Sequence, residues 1–343
     1  MDSMKWVKWP IVSMLLLILL VGCNQQQEET KGNKQTKDTT NKELEKVTLM
    51  LDWFPNTNHT GFYVAKENGF YEEQGLDVEI VQPGEGSTAD QLVASGKADF
   101  GVSYQEGVTY ARVSDIPLVS IGAVIQHNTS ALASLKEANI STPKDFEGKR
   151  YGGWGAPIEE AVIKAVMKKN DADYNKVENI TLGQTDFFTS IGKDADFEWV
   201  YYGWDGIEAE RRNMDVNYMM LKDLDPALDY YTPVIVTNEK HIAEQNEMVK
   251  KFMAATTKGY EFAIESPEEA ADILLKHAPE LNADLVKASQ KWVSEQYQAD
   301  ATQWGVQKAD VWQRFADWMY EQKLIDKELK TEDAFTNEFL PKK

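Results

Sequence analysis

The residues best suited to chemistry fall in five short segments, each placed at or just after the end of an expected strand. They are Asp52-Trp53-Phe54-Pro55-Asn56-Thr57-Asn58, Gly84-Glu85-Gly86-Ser87-Thr88, Ser103-Tyr104-Gln105-Glu106-Gly107, Gly153-Trp154-Gly155-Ala156-Pro157 and Tyr201-Tyr202-Gly203-Trp204-Asp205. Four carry Trp or Tyr, four carry a carboxylate, and none carries Lys or Arg. Rings at loop tips suit stacking on a planar ligand. Carboxylates and amides beside them accept hydrogen bonds from amino groups, whereas an anion site would place a cation or a bidentate arginine there. The composition therefore favours a planar ligand, neutral or weakly basic, with exocyclic amino donors.

Trp154, Tyr104 and one of Tyr201, Tyr202 and Trp204 are the expected stacking rings. Glu106, Asp52 and Asp205 are the expected acceptors, and Asn58 and Gln105 the amide partners. Trp53 and His59 complete the candidate ligand set. Simpler roles compete with these. Trp53 fits a packing position, Asp52 a turn, and His59 a helix start. Strand alternation turns one of Tyr201 and Tyr202 inward. Trp154 is the position least open to a packing explanation, because glycines on both sides let backbone approach a ligand closely.

Other chemistries find no support. The four histidines, His59, His127, His241 and His277, are not at metal-ligand spacing, and no zinc-protease, P-loop or nucleophile-elbow motif is present. No catalytic residue, metal or cofactor is expected. The net charge of −20 makes nucleic acid a poor partner.

The elements that must position the five segments alternate between strand and helix, which argues for α/β architecture with mainly parallel strands. Strands are expected over 47–51, 76–81, 98–102, 118–124 and 131–135, with helices over 59–68 and from Ser87 or Thr88 to about Ser95-Gly96. A second set starts after Thr142-Pro143, with strands over 150–153, 179–182, 197–202, 217–221 and 232–237 and a helix from Pro157 to about Lys169. From Glu239 the pattern is helical: 244–265, 267–277, 283–296 and 307–323. About 300 residues suit two lobes better than one core. The expected division is 47–138 with 238–343 as the first lobe and 139–237 as the second, hinged at about 135–142 and 231–238. Such a protein closes on a ligand by hinge bending.

The start of the chain addresses it. Lys5 and Lys8 precede an apolar run over 11–21, broken only by Ser13, and Leu20-Val21-Gly22-Cys23 resembles a bacterial lipobox. The run is short of the roughly 20 residues a bilayer span needs. A signal over 1–22, a lipid anchor on Cys23, which is the sole cysteine, and a flexible tether over 23–46 are expected.

Several segments together resemble the NMT1/THI5-like family: 47–61, then Ala65-Lys66-Glu67-Asn68-Gly69-Phe70-Tyr71, Gly75-Leu76-Asp77-Val78 and Ser95-Gly96-Lys97-Ala98-Asp99-Phe100-Gly101-Val102. The resemblance implies a type II periplasmic-binding-protein fold. It also implies one of two activities. One branch makes the thiamine pyrimidine from pyridoxal phosphate and its own histidine. The other consists of lipoproteins that deliver thiamine-related pyrimidines to an ABC permease and its ATPase. The synthase lysine falls where Ser103 stands, its histidine at or near Gly107, and its cysteine-rich run around Tyr230-Tyr231-Thr232. The implied role is therefore capture of an aminopyrimidine such as formylaminopyrimidine, at the outer face of the cell membrane. Riboflavin or a sulfonate as solute, and the synthase itself, are the alternatives.

Overall fold

The computed structural model describes residues 43–82, 84, 88–183 and 185–342. The leader, Cys23 and the tether up to residue 42 lie outside the described residues, as do Glu85, Gly86 and Ser87. Regular structure begins at Glu45, two residues before the expected strand start.

The strands are β1 (Glu45–Met50), β2 (Leu76–Val81), β3 (Phe100–Ser103), β4 (Leu118–Ala123), β5 (Ser130–Leu135), β6 (Arg150–Gly153), β7 (Glu178–Thr181), β8 (Phe197–Tyr201), β9 (Val216–Met220) and β10 (Val234–Asn238). They form two five-stranded sheets, ordered β2-β1-β3-β10-β4 and β7-β6-β8-β5-β9. The two orders are equivalent strand for strand. In each sheet four strands run one way and one is reversed, β10 in the first and β5 in the second. Each reversed strand is the first element after the chain changes sheets.

This corrects the expected boundaries. β5 was expected to close the first lobe, but it lies between β8 and β9. β10 was expected within the second lobe, but it lies between β3 and β4. The chain crosses over 124–129 and returns over 229–233. Thr142-Pro143, after which the second set of elements was expected to start, is the capped start of a short 3-10 turn, Pro143–Phe146. The physical reason is that 124–129 carries no glycine-containing hairpin turn to fold β5 back on β4, and Asn128 instead turns the chain into β5 by accepting the Ser130 N–H at 2.8 Å. Donors of the same segment bind the returning chain: Val124 N–H to the Pro233 carbonyl (3.0 Å) and Asn128 Nδ2 to the Leu228 carbonyl (2.8 Å). Asp229 joins the pair, accepting Asn128 N–H at 3.0 Å and lying 2.7 Å from His127 Nδ1.

Each sheet buries an aromatic core. Phe100 of β3 stacks on Phe252 at 3.7 Å, and Phe146 on Phe197 of β8 at 4.1 Å. Burying each such ring contributes roughly 1.5–3 kcal/mol. The helices Asn246–Glu265, Pro267–His277 and Ala283–Gln298 place Phe252, Leu274 and Val293 in the first-sheet core. The last long helix, Ala309–Glu321, departs from the expected division. Trp312 packs under the first sheet, whereas Phe315, Trp318 and Met319 enter the second-sheet core. No described helix is long and apolar enough to cross a membrane.

Candidate functional site

The ends of β1, β3, β6 and β8 bring the candidate segments to the cleft between the two sheets, beyond the carboxyl ends of parallel strands where open α/β sheets bind ligands. Asp52, two residues past β1, sits at the centre of a small network. Tyr104 donates its hydroxyl to Asp52 Oδ2 at 2.7 Å, and His59 Nε2 reaches Oδ1 at 2.7 Å. His59 Nδ1 accepts the Asn56 N–H at 3.3 Å, which leaves the Nε2 proton to point at Asp52. Burial works against the ionised form of Asp52, but His59 and then Tyr104 outweigh it and hold the carboxyl below its usual range.

Beside Asp52 stand two carboxyls shifted the other way. Burial pushes Glu106 up to about 7; the Tyr230 hydroxyl pulls it back, while Asp90 and Glu159 push it further. Tyr230 donates to Glu106 Oε2 at 3.2 Å, and no described residue donates to Oε1. Burial likewise raises Asp90 to about 6, with Ser103 opposing and Asp52 adding to it. Asp90 Oδ2 lies over Gly107, where a Cβ would stand 2.7 Å away. No lysine or arginine acts on Glu106, Asp90 or Asp205 among the described residues.

The facing wall is aromatic. Trp154 is 41% exposed and meets Trp199 edge-on at 5.5 Å. Its loop turns through Gly155 at φ +93°, a conformation that glycine adopts without strain. Glu159, 2% exposed in the first turn of the helix Pro157–Lys169, holds this loop. Its carboxylate accepts the N–H groups of Trp154 (3.1 Å), Gly155 (2.7 Å) and Ala156 (2.7 Å) and the Tyr151 hydroxyl (2.6 Å). Tyr201 is 37% exposed. Its phenol is raised by burial, with Glu106 and then Asp52 acting in the same direction. Asp205 accepts the Tyr201 N–H at 3.1 Å and is pushed up to about 6 by burial, with that bond opposing.

Not every candidate reaches this cleft. Gln105 and His59 have no accessible surface. Gln105 spends its amide on Tyr231 N–H (2.8 Å) and the Val311 carbonyl (3.3 Å), so its side chain positions the returning chain instead of meeting a ligand. His59 acts only through Asp52. Tyr202 packs on Tyr218 and Trp292, and Trp204 on the first-sheet core, which leaves Tyr201 as the ring of the three that opens on the cleft. Asn58 is half-buried, and its carbonyl accepts the Tyr260 hydroxyl at 2.7 Å. Trp53, 43% exposed, meets Phe54 edge-on at 5.8 Å. Asp90, Glu159, Trp199 and Tyr230 are contributors that sequence reasoning missed. Glu159 had a signal, a Glu three residues after Ala156 at a Pro-started helix.

Two equivalent mixed sheets, crossed twice and facing each other over a cleft, define a type II periplasmic-binding-protein fold. The alkanesulfonate-binding protein SsuA of Xanthomonas axonopodis pv. citri, solved bound to MOPS, shares it at a TM-score of 0.65 and 14% identity, over 86% of this chain and 99% of that one. The NMT1/THI5-like family profile matches residues 56–270, and the chain belongs to that family. Among its relatives is a formylaminopyrimidine-binding protein of Halalkalibacterium halodurans, 31% identical over 95% of this chain and 98% of that protein. Another is a 4-amino-5-hydroxymethyl-2-methylpyrimidine phosphate synthase of Legionella pneumophila, 26% identical over 86% of this chain and 92% of the synthase.

Proposed function

We propose that this chain is an extracytoplasmic solute-binding protein of an ABC importer, and that it captures an aminopyrimidine precursor of thiamine, formylaminopyrimidine in particular, for salvage. The observation that carries the reading is the cleft itself: carboxylates on one wall, open rings on the other, and no lysine or arginine acting on Glu106, Asp90 or Asp205 among the described residues. Glu106 and Asp52 accept from the exocyclic amine, and Tyr201 and Trp154 cover the ring. The name of the Halalkalibacterium relative supports the same ligand. The two crossings, 124–129 and 229–233, serve as the hinge, dividing the chain into one lobe built on each sheet. Cys23 carries a lipid that anchors the protein to the outer face of the cell membrane, beside its permease and ATPase.

A synthase reading has the Legionella relative behind it. Against it stand Ser103, 2% exposed, where the family resemblance puts the lysine, and Gly107, where a side chain would run into the Asp90 carboxylate. Both positions favour a binder over an enzyme.

Calorimetric titration of the purified protein with formylaminopyrimidine, hydroxymethyl-aminopyrimidine, thiamine, riboflavin and taurine tests the proposal. Tight binding of one aminopyrimidine with taurine silent is the expected result. Heat from taurine or riboflavin alone would leave the fold standing and remove the assigned solute.

A further inference from the structure

We propose that the contact between the π-helical turn Tyr202–Gly206 and the helix Ala283–Gln298 is a latch that holds the two lobes closed. The latch rests on the solute-binding reading for its effect on affinity, but not for its effect on shape.

The two partners belong to opposite sides of the cleft. The helix places Val286, Val293 and Tyr297 in the first-sheet core. The turn follows directly from β8 of the second sheet. Ser289, fully buried on that helix, donates its hydroxyl to the Gly203 carbonyl and also meets Thr57 Oγ1 at 2.7 Å. Tyr297, about two turns further along the same side of the helix, donates to the Thr57 carbonyl. One serine therefore joins the loop that carries Asp52 to the turn that carries Tyr201 and Asp205. Tyr202 lies against Trp292 at 5.1 Å, and Arg211 reaches Asp284 at 3.4 Å at the edge of the same contact.

Gly203 makes the seat possible. A Cβ there would stand 2.9 Å from Val293 Cγ2 and 3.0 and 3.2 Å from the Trp292 ring. Its φ is not positive, so the turn itself tolerates alanine. The requirement for glycine comes from the other lobe. A single methyl at 203 is thus a wedge between lobes that leaves the local backbone acceptable. π-turns of this kind recur at functional sites, and here the turn couples the ring and acid of one wall to the helix that supports the other.

Small-angle scattering on the ligand-free protein, with hydrogen exchange read over 202–206 and 283–298, tests the latch. Gly203→Ala is expected to enlarge the radius of gyration and speed exchange in both segments, and Ser289→Ala to do so more weakly. Each should weaken aminopyrimidine binding through faster release, by about threefold to tenfold if the closed fraction falls by that factor. Circular dichroism checks folding; should Gly203→Ala fail to fold, Ser289→Ala carries the test. An unchanged radius and unchanged exchange in the folded variants would overturn the proposal. If no pyrimidine binds the parent protein while the radii still separate, the latch stands and the solute assignment falls.

Discussion

The first-sheet wall of the cleft and the second-sheet wall are held in different ways. On the first, acids do the facing: Asp52 is fixed by His59 and Tyr104, while burial pushes Glu106 and Asp90 beside it above the usual carboxyl range. On the second, an acid stands behind: Glu159 gathers backbone N–H groups so that Trp154 projects, and Asp205 ties down the Tyr201 backbone. The same residue type thus supplies recognition on one side and scaffolding on the other. What separates Glu159 from Glu106 is hydrogen-bond supply: four donors meet the first and Tyr230 alone, among the described residues, meets the second. A carboxylate given several donors is a structural anchor, whereas one left short of them, as Glu106 is, has capacity left for a ligand.

That contrast is open to attack from its strongest point. Glu159→Gln would set an amide N–H against the backbone donors it now accepts, and should lower the unfolding free energy by about 2–3 kcal/mol in denaturant titration. Unchanged stability would mean that the second wall is held by something else. Glu106→Gln should do the opposite on each count. It should weaken aminopyrimidine binding by about 1.5–3 kcal/mol, the range for hydrogen bonds to charged groups, while leaving or improving stability, since Glu106 lies close to Asp90 and Glu159. Trp154→Leu and Tyr201→Leu should each weaken binding by ~1 kcal/mol through lost stacking, with little change in unfolding. Smallest of all, Trp53→Leu should shift affinity by less than about 0.5 kcal/mol, because that ring stays 43% exposed beside Phe54.

The raised acids also set a pH dependence. Folded Glu106 keeps its proton up to about 7 against an ordinary value of 4.5, so across that window the folded state binds more protons than the unfolded chain. The empty protein should therefore lose stability as pH rises through the window. Asp90 and Asp205 act in the same direction between 3.8 and about 6. Thermal unfolding of wild type and Glu106→Gln across this range separates the contributions.

Much of this was legible in the sequence, for identifiable reasons. Strands such as Val47 to Leu51 alternate plainly into Asp52, and loops after parallel strands face one end of the sheet, so the site's location followed from order alone. Sheet membership did not. β5 follows β4 closely, and only its pairing with β8 and β9, together with the bonds from 124–129 to the returning chain, shows that it belongs elsewhere. Side-chain direction was equally hidden. Gln105 and Glu106 are neighbours at one helix start, yet one turns inward to Tyr231 and the other faces the cleft. Trp199 and Tyr230 lie within a strand and a crossing, where nothing local marks them as site residues.

The central claim is that unshared acceptor capacity on Glu106 recognises an exocyclic amine. Calorimetry of a 4-aminopyrimidine and its 4-oxo counterpart, each in two buffers of different ionisation enthalpy near pH 6, tests it most directly. The expected result is tight binding of the amine with a proton released to the buffer, weak binding of the oxo ring, and no proton release in Glu106→Gln. Equal affinity for the two rings, or binding without proton release in the wild type, would contradict it.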